Sequence, residues 1–80
     1  MVEFIEKIES KDDWIRFLNL LAKDFEEHPN EWENPTIPAF LEQMASWVED
    51  YSDSPANDIN WNTIPFKIFA QILYMGKLYE

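Results

Sequence analysis

Thr36-Ile37-Pro38-Ala39-Phe40-Leu41-Glu42-Gln43-Met44-Ala45-Ser46-Trp47-Val48-Glu49-Asp50-Tyr51-Ser52 is the stretch that decides the fold. Ile37, Phe40, Leu41, Met44, Trp47, Val48 and Tyr51 recur at the spacing that lines one side of a helix. Glu42, Gln43, Ser46, Glu49 and Asp50 fall on the other side, with Asp53 just beyond. Thr36 is a capping residue type, and Pro38 lies in the first turn, where a missing N–H costs nothing. Ser52-Asp53-Ser54-Pro55 stops the pattern, so the spacing predicts a helix over residues 36–52.

Outward from it, the same rules give two more helices. Ser10, with Asp13 three places on, makes a capping-box-like start. Trp14, Phe17, Leu18, Leu21, Ala22 and Phe25 then share one face. Pro29 ends that run, because the residue before a proline avoids the helical region, and a helix over 10–27 follows. A short N-terminal helical turn through Phe4, Ile5 and Ile8 is expected within 2–8. On the far side, Thr63-Ile64-Pro65 repeats the start of Thr36-Ile37-Pro38 and opens a helix over 63–75 that is apolar nearly all round. Gly76 is expected to cap it in the left-handed conformation, with Leu78 or Tyr79 folding back. The linkers, roughly 28–35 and 53–62, are polar, and carry Trp32 and Trp61.

Eighty residues form a single domain over 1–80. Three amphipathic helices on short connections imply an all-α, compact three-helix bundle with the short N-terminal helix added. The chain has no cysteine, so no disulfide or thiolate–metal scaffold holds it. Stability must then come from one well-filled core, for which 4 Trp, 6 Phe and 3 Tyr are the material. The acidic start Met1-Val2-Glu3-Phe4 is no secretory signal, and the apolar run from Phe66 to Met75 is too short and too broken to span a bilayer. The expected setting is the cytoplasm.

The net charge of −10 is not spread evenly. Residues 24–66 carry Asp24, Glu26, Glu27, Glu31, Glu33, Glu42, Glu49, Asp50, Asp53 and Asp58, and no lysine or arginine. The flanks are balanced. A chain with no basic face does not grip nucleic acid directly. One reading of the acids is a solvated, solubilising surface. Another starts from their placement. Asp24, Glu26 and Glu27 end the first long helix, and Glu49 and Asp50 end the second, where the helix dipole disfavours anions. Rules broken without local gain mark places to look for function. Glu26, Glu27, Glu31, Trp32, Glu33, Glu49, Asp50 and Asp53 are therefore the candidate residues for binding a basic partner protein. Trp32 either closes the end of the core or serves as an aromatic anchor ringed by acids.

Catalytic signals are missing. His28, the one histidine, precedes Pro29 in an acidic linker, and no nucleophile elbow occurs. One glycine cannot build a phosphate cradle, and no Glu-x-x-His pair offers a di-iron site. The alternating oxygens from Asp50 resemble a calcium loop, but its sixth and twelfth places hold Pro55 and Trp61 rather than Gly and Glu. No cofactor and no enzymatic activity is expected.

Two stretches resemble a family of small bacterial helical proteins of unknown function. Trp32-Glu33-Asn34-Pro35-Thr36 is similar to that family's Trp-Glu-Asn-x-Thr helix start. Tyr74-Met75-Gly76-Lys77-Leu78-Tyr79-Glu80 is similar to its Tyr-x-Gly-Lys-x-Tyr-Glu C-terminus. The likeness extends over 12–80, although the linker before Trp32 is shorter here. The resemblance implies a small helical domain with no assigned activity. Three functions remain: an acidic module that binds a basic protein, in the manner of an immunity protein or regulator; a homodimer formed through the apolar helix 64–75; and a small carboxylate-based metal binder or enzyme.

Overall fold

The computed structural model describes residues 1–80 and is all-α, with no strand. Four helices run in order: α1 (Val2–Glu6), α2 (Lys11–Glu27), α3 (Ile37–Ser52) and α4 (Phe66–Leu78). Short 3-10 turns at Pro29–Glu31 and Trp61–Thr63 precede α3 and α4. No helix is long and apolar enough to cross a membrane. The chain divides into two compact units, Met1–Ala45 and Ser46–Glu80, with the division falling inside α3.

In the first unit, α2 starts where the capping residues place it. Ser10 Oγ accepts from the Asp13 amide at 3.1 Å. The Asp13 carboxylate reaches back to the Glu9 amide at 3.1 Å, one residue further upstream than a capping box requires. Phe17 lies between Phe4 (6.4 Å between ring centroids) and Trp14 (6.0 Å), which ties α1 onto α2. At the other end the His28 amide donates to the Asp24 carbonyl at 2.8 Å, and Pro29 turns the chain into the first 3-10 turn. Thr36 then caps α3, its Oγ1 accepting from the Ala39 amide at 3.3 Å.

In the second unit, four rings form a ladder. Tyr51 stacks on Trp47 at 4.8 Å, Trp47 meets Trp61 edge-on at 6.4 Å, and Trp61 stacks on Phe66 at 6.4 Å. The connecting loop is held by its own side chains. Asn57 Oδ1 accepts from the Trp61 indole N–H at 2.9 Å, and Asn60 Oδ1 accepts from the Asn62 amide at 3.2 Å.

Three local expectations need correcting. First, Thr63-Ile64-Pro65 does not repeat the start of α3. Ile64 is extended (φ −83°, ψ 128°), as the residue before a proline tends to be. The Thr63 hydroxyl donates to the Asn60 carbonyl at 2.9 Å instead of capping. The last helix accordingly begins at Phe66, with no side-chain cap. Second, Gly76 has no positive φ and lies inside α4, which runs on to Leu78. The Tyr79 amide closes the helix on the Met75 carbonyl at 2.8 Å, and Tyr79 leaves in an extended conformation, 85% exposed. Lysine and leucine after Gly76 are good helix formers, and they carry the helix through it. Third, neither unit contains a fully buried side chain. The aromatics cover one another ring on ring rather than fill a closed interior.

Candidate functional site

Trp32 organises the first unit's end. Its indole N–H donates to Asp24 Oδ2 at 2.9 Å. Phe25 meets the ring edge-on at 5.2 Å and an interplanar angle of 75°, and Phe40 lies tilted against it at 5.8 Å. One side chain thus joins the last turn of α2 to the first turn of α3. Trp32 and Asp24 are both half-buried. The tryptophan closes the end of the unit, and it still presents part of its ring to solvent, but its N–H is already committed to Asp24.

Around this centre the candidate acids are exposed. Glu26, Glu27, Glu31 and Glu33 all face water, and Glu27 is paired with Lys23 at 3.7 Å. Both partners of that pair are more than half exposed (69% and 52%), so it contributes little. Asp24, Glu26 and Glu27 occupy the last turn of α2, which carries no basic residue. An anion there costs about 0.3–1 kcal/mol at low ionic strength. For Asp24 the indole hydrogen bond offsets that cost. For Glu26 no such bond does so.

Glu49, Asp50 and Asp53 belong to the second unit. Glu49 and Asp50 lie in the last turn of α3, where Ser52 Oγ donates to the Glu49 carbonyl at 2.9 Å. All three carboxylates are exposed. The candidate acids are thus divided between the two units, Glu26, Glu27, Glu31 and Glu33 in the first and Glu49, Asp50 and Asp53 in the second. Asp58, another acid of the same stretch, is used internally. The Tyr51 hydroxyl donates to Asp58 Oδ1 at 2.8 Å and also lies 3.0 Å from the Ala56 carbonyl. That hydrogen bond, with a smaller contribution from burial and from the nearby negative charge, holds the Tyr51 pKa above its ordinary 10.0. No group of three or more histidine, aspartate or glutamate side chains is gathered so as to hold a metal ion.

Sequence reasoning missed the groove beside Trp32. Its volume is about 400 Å³, and it is open to solvent. Leu18, Leu21, Ala22 and Phe25 of α2 form one wall; Trp32, Ile37 and Phe40 form the other. Glu26 is the charged residue of its lining, and no cation lines it. The signal was present in the face shared by Leu18, Leu21, Ala22 and Phe25. The structure leaves part of that face open, with Leu18 41% exposed, and Ile37 of the facing wall is 76% exposed.

Residues 10–80 match the model of DUF7660, described as a family of unknown function. No curated protein matches the chain. No solved structure matches it either.

Proposed function

From a chain that belongs to the DUF7660 family, we propose a non-enzymatic interaction module whose acidic clusters bind a basic partner protein. The observation that carries this reading is the run of ten acids without a lysine or arginine over residues 24–66. The exposure of Glu26, Glu27, Glu31 and Glu33 beside Trp32 supports it, since charges left in water are free to meet a partner's. A field of this kind steers encounter more than it deepens affinity. Trp32, half-buried and flanked in sequence by Glu31 and Glu33, is of the residue type enriched at interface hot spots.

Charge reversal tests the reading. The chain with Glu26, Glu27, Glu31 and Glu33 all changed to lysine is compared with the unaltered chain as bait in a host lysate. The washes are done at low salt and then near 1 M, where the screening length shrinks to about 3 Å. A basic protein held by the unaltered chain at low salt, shed at high salt and missed by the reversed chain is the expected result. Retention of the same proteins by both chains, indifferent to salt, would overturn the reading.

A further inference from the structure

We propose that the groove between α2 and the start of α3 seats an amphipathic helix of the basic partner, with apolar side chains in the groove and lysine or arginine along its edges. This rests on the reading of the acidic clusters as a partner surface, and it names where and how that partner docks. Three features of the groove select this occupant.

Its walls are apolar. Leu18, Leu21, Phe25, Ile37 and Phe40 offer hydrocarbon, and Trp32 has its N–H satisfied by Asp24, so the wall it forms asks for no hydrogen bond. An occupant must therefore bring its own satisfied backbone. A helix does so, because its N–H and C=O groups bond within it, and it projects side chains at i, i+3, i+4 and i+7 into such a trough. An extended strand would need a sheet edge to pair with, and the protein has no strand.

The charge at the groove is negative. Glu26 lines the groove, Glu31 and Glu33 flank Trp32 in sequence, and all three are exposed. The lining contains no cation. An acidic amphipathic helix would bring like charges together here, which disfavours it. A basic one meets opposite charge at Glu26, with Glu31 and Glu33 close by in sequence.

Its volume, about 400 Å³, falls in the lower part of the range of small-molecule pockets, roughly 300–1,000 Å³. Such pockets enclose most of the ligand's surface and present several convergent polar groups. This groove is open and its walls are mainly hydrocarbon, which suits a few side chains of a larger body whose remainder stays in water.

The test uses the full chain labelled with ¹⁵N and three blocked synthetic peptides of roughly 18 residues, long enough to hold a helix. The first is an amphipathic leucine–lysine helix. The second has glutamate in place of lysine. The third keeps the lysines and has alanine in place of leucine. The readout is the indole N–H signal of Trp32, assigned through a Trp32→Phe variant, and the signal of Trp61 serves as internal reference. The expected result is a saturable shift of the Trp32 signal with the leucine–lysine peptide alone. Ala22→Phe puts a ring in the groove from an exposed position of α2, and Ile37→Ser removes a wall residue from a position too exposed to matter to packing. Each should weaken binding at least about tenfold, the scale of losing one interface anchor. Binding by the alanine–lysine peptide as tight as by the leucine–lysine peptide would overturn the groove and leave the acidic-cluster reading standing. So would shifts confined to Trp61, or tight binding that neither variant disturbs. No binding by either lysine peptide would overturn both.

Discussion

Trp32→Phe and Asp24→Ala, made singly and together, measure the hydrogen bond on which the first unit's end depends. Phenylalanine keeps a ring between Phe25 and Phe40 and deletes the N–H that reaches Asp24 at 2.9 Å. A hydrogen bond to a charged group contributes about 1.5–3 kcal/mol, and water replaces part of that where both partners are half-buried, so about 1 kcal/mol is expected. Asp24→Ala removes the same bond. It also relieves an anion in the last turn of α2, worth about 0.3–1 kcal/mol at low salt, and gains up to ~0.7 kcal/mol of helix propensity. The single alanine variant should therefore look neutral to slightly stabilising at low salt and at most slightly destabilising at high salt, where the dipole contribution is screened. The double-mutant cycle cancels these side effects and leaves a coupling of about 1 kcal/mol. For a chain of this size that coupling corresponds to roughly 4–8 °C in Tm. Urea unfolding, with a slope of ~1 kcal/mol/M, should resolve it as a midpoint difference of about 1 M. Effects that add to within about 0.3 kcal/mol would refute the claim that this bond fastens α2 to α3.

Two further outcomes follow from the second unit. Gly76→Ala should stabilise α4 by about 0.5–1 kcal/mol, because Gly76 is helical without a positive φ and a Cβ there meets nothing within 4 Å; a melting temperature that falls would instead mean that Gly76 is needed as a cap. Tyr51 is held neutral by its bond to Asp58, so its pKa is raised in the folded state. A raised pKa gives stability that is complete below the ordinary value of 10.0 and is lost as pH climbs through the folded value. The Tm of the unaltered chain should therefore fall more steeply above pH 10.0 than that of Tyr51→Phe, and parallel curves would show that the Asp58 bond does not couple to folding.

What the sequence makes legible here is what neighbours decide. Ser10 and Thr36 each sit three residues before the amide they accept from, so both helix starts can be read locally. Pro29 stops α2 for an equally local reason. The same logic misled at Thr63 and Gly76. Identical Thr-Ile-Pro triplets take different roles because Asn60 claims the second threonine's hydroxyl, and nothing within the triplet announces that. Pairings eight or more residues apart stayed hidden. Asp24 reaches Trp32, and Trp47 reaches Trp61, only after a proline turn or an asparagine-pinned loop has bent the chain. A carboxylate one turn before a helix stop, followed by a tryptophan just after it, was the readable hint of the first.

That hidden pairing bears on function as well as fold. Counting ten acids treats them as equivalent, and the structure sorts them. Asp24 and Asp58 are hydrogen-bond acceptors for Trp32 and Tyr51 and hold their units together. Glu27 shares its charge with Lys23. Glu26, Glu31 and Glu33 in one unit, and Glu49, Asp50 and Asp53 in the other, keep theirs exposed. A partner that reads charge must read these residues, so reversal at Glu31 and Glu33 should change association without changing stability, while reversal at Glu26 also relieves the anion in the last turn of α2. Removing the Asp58 acceptor should do the opposite.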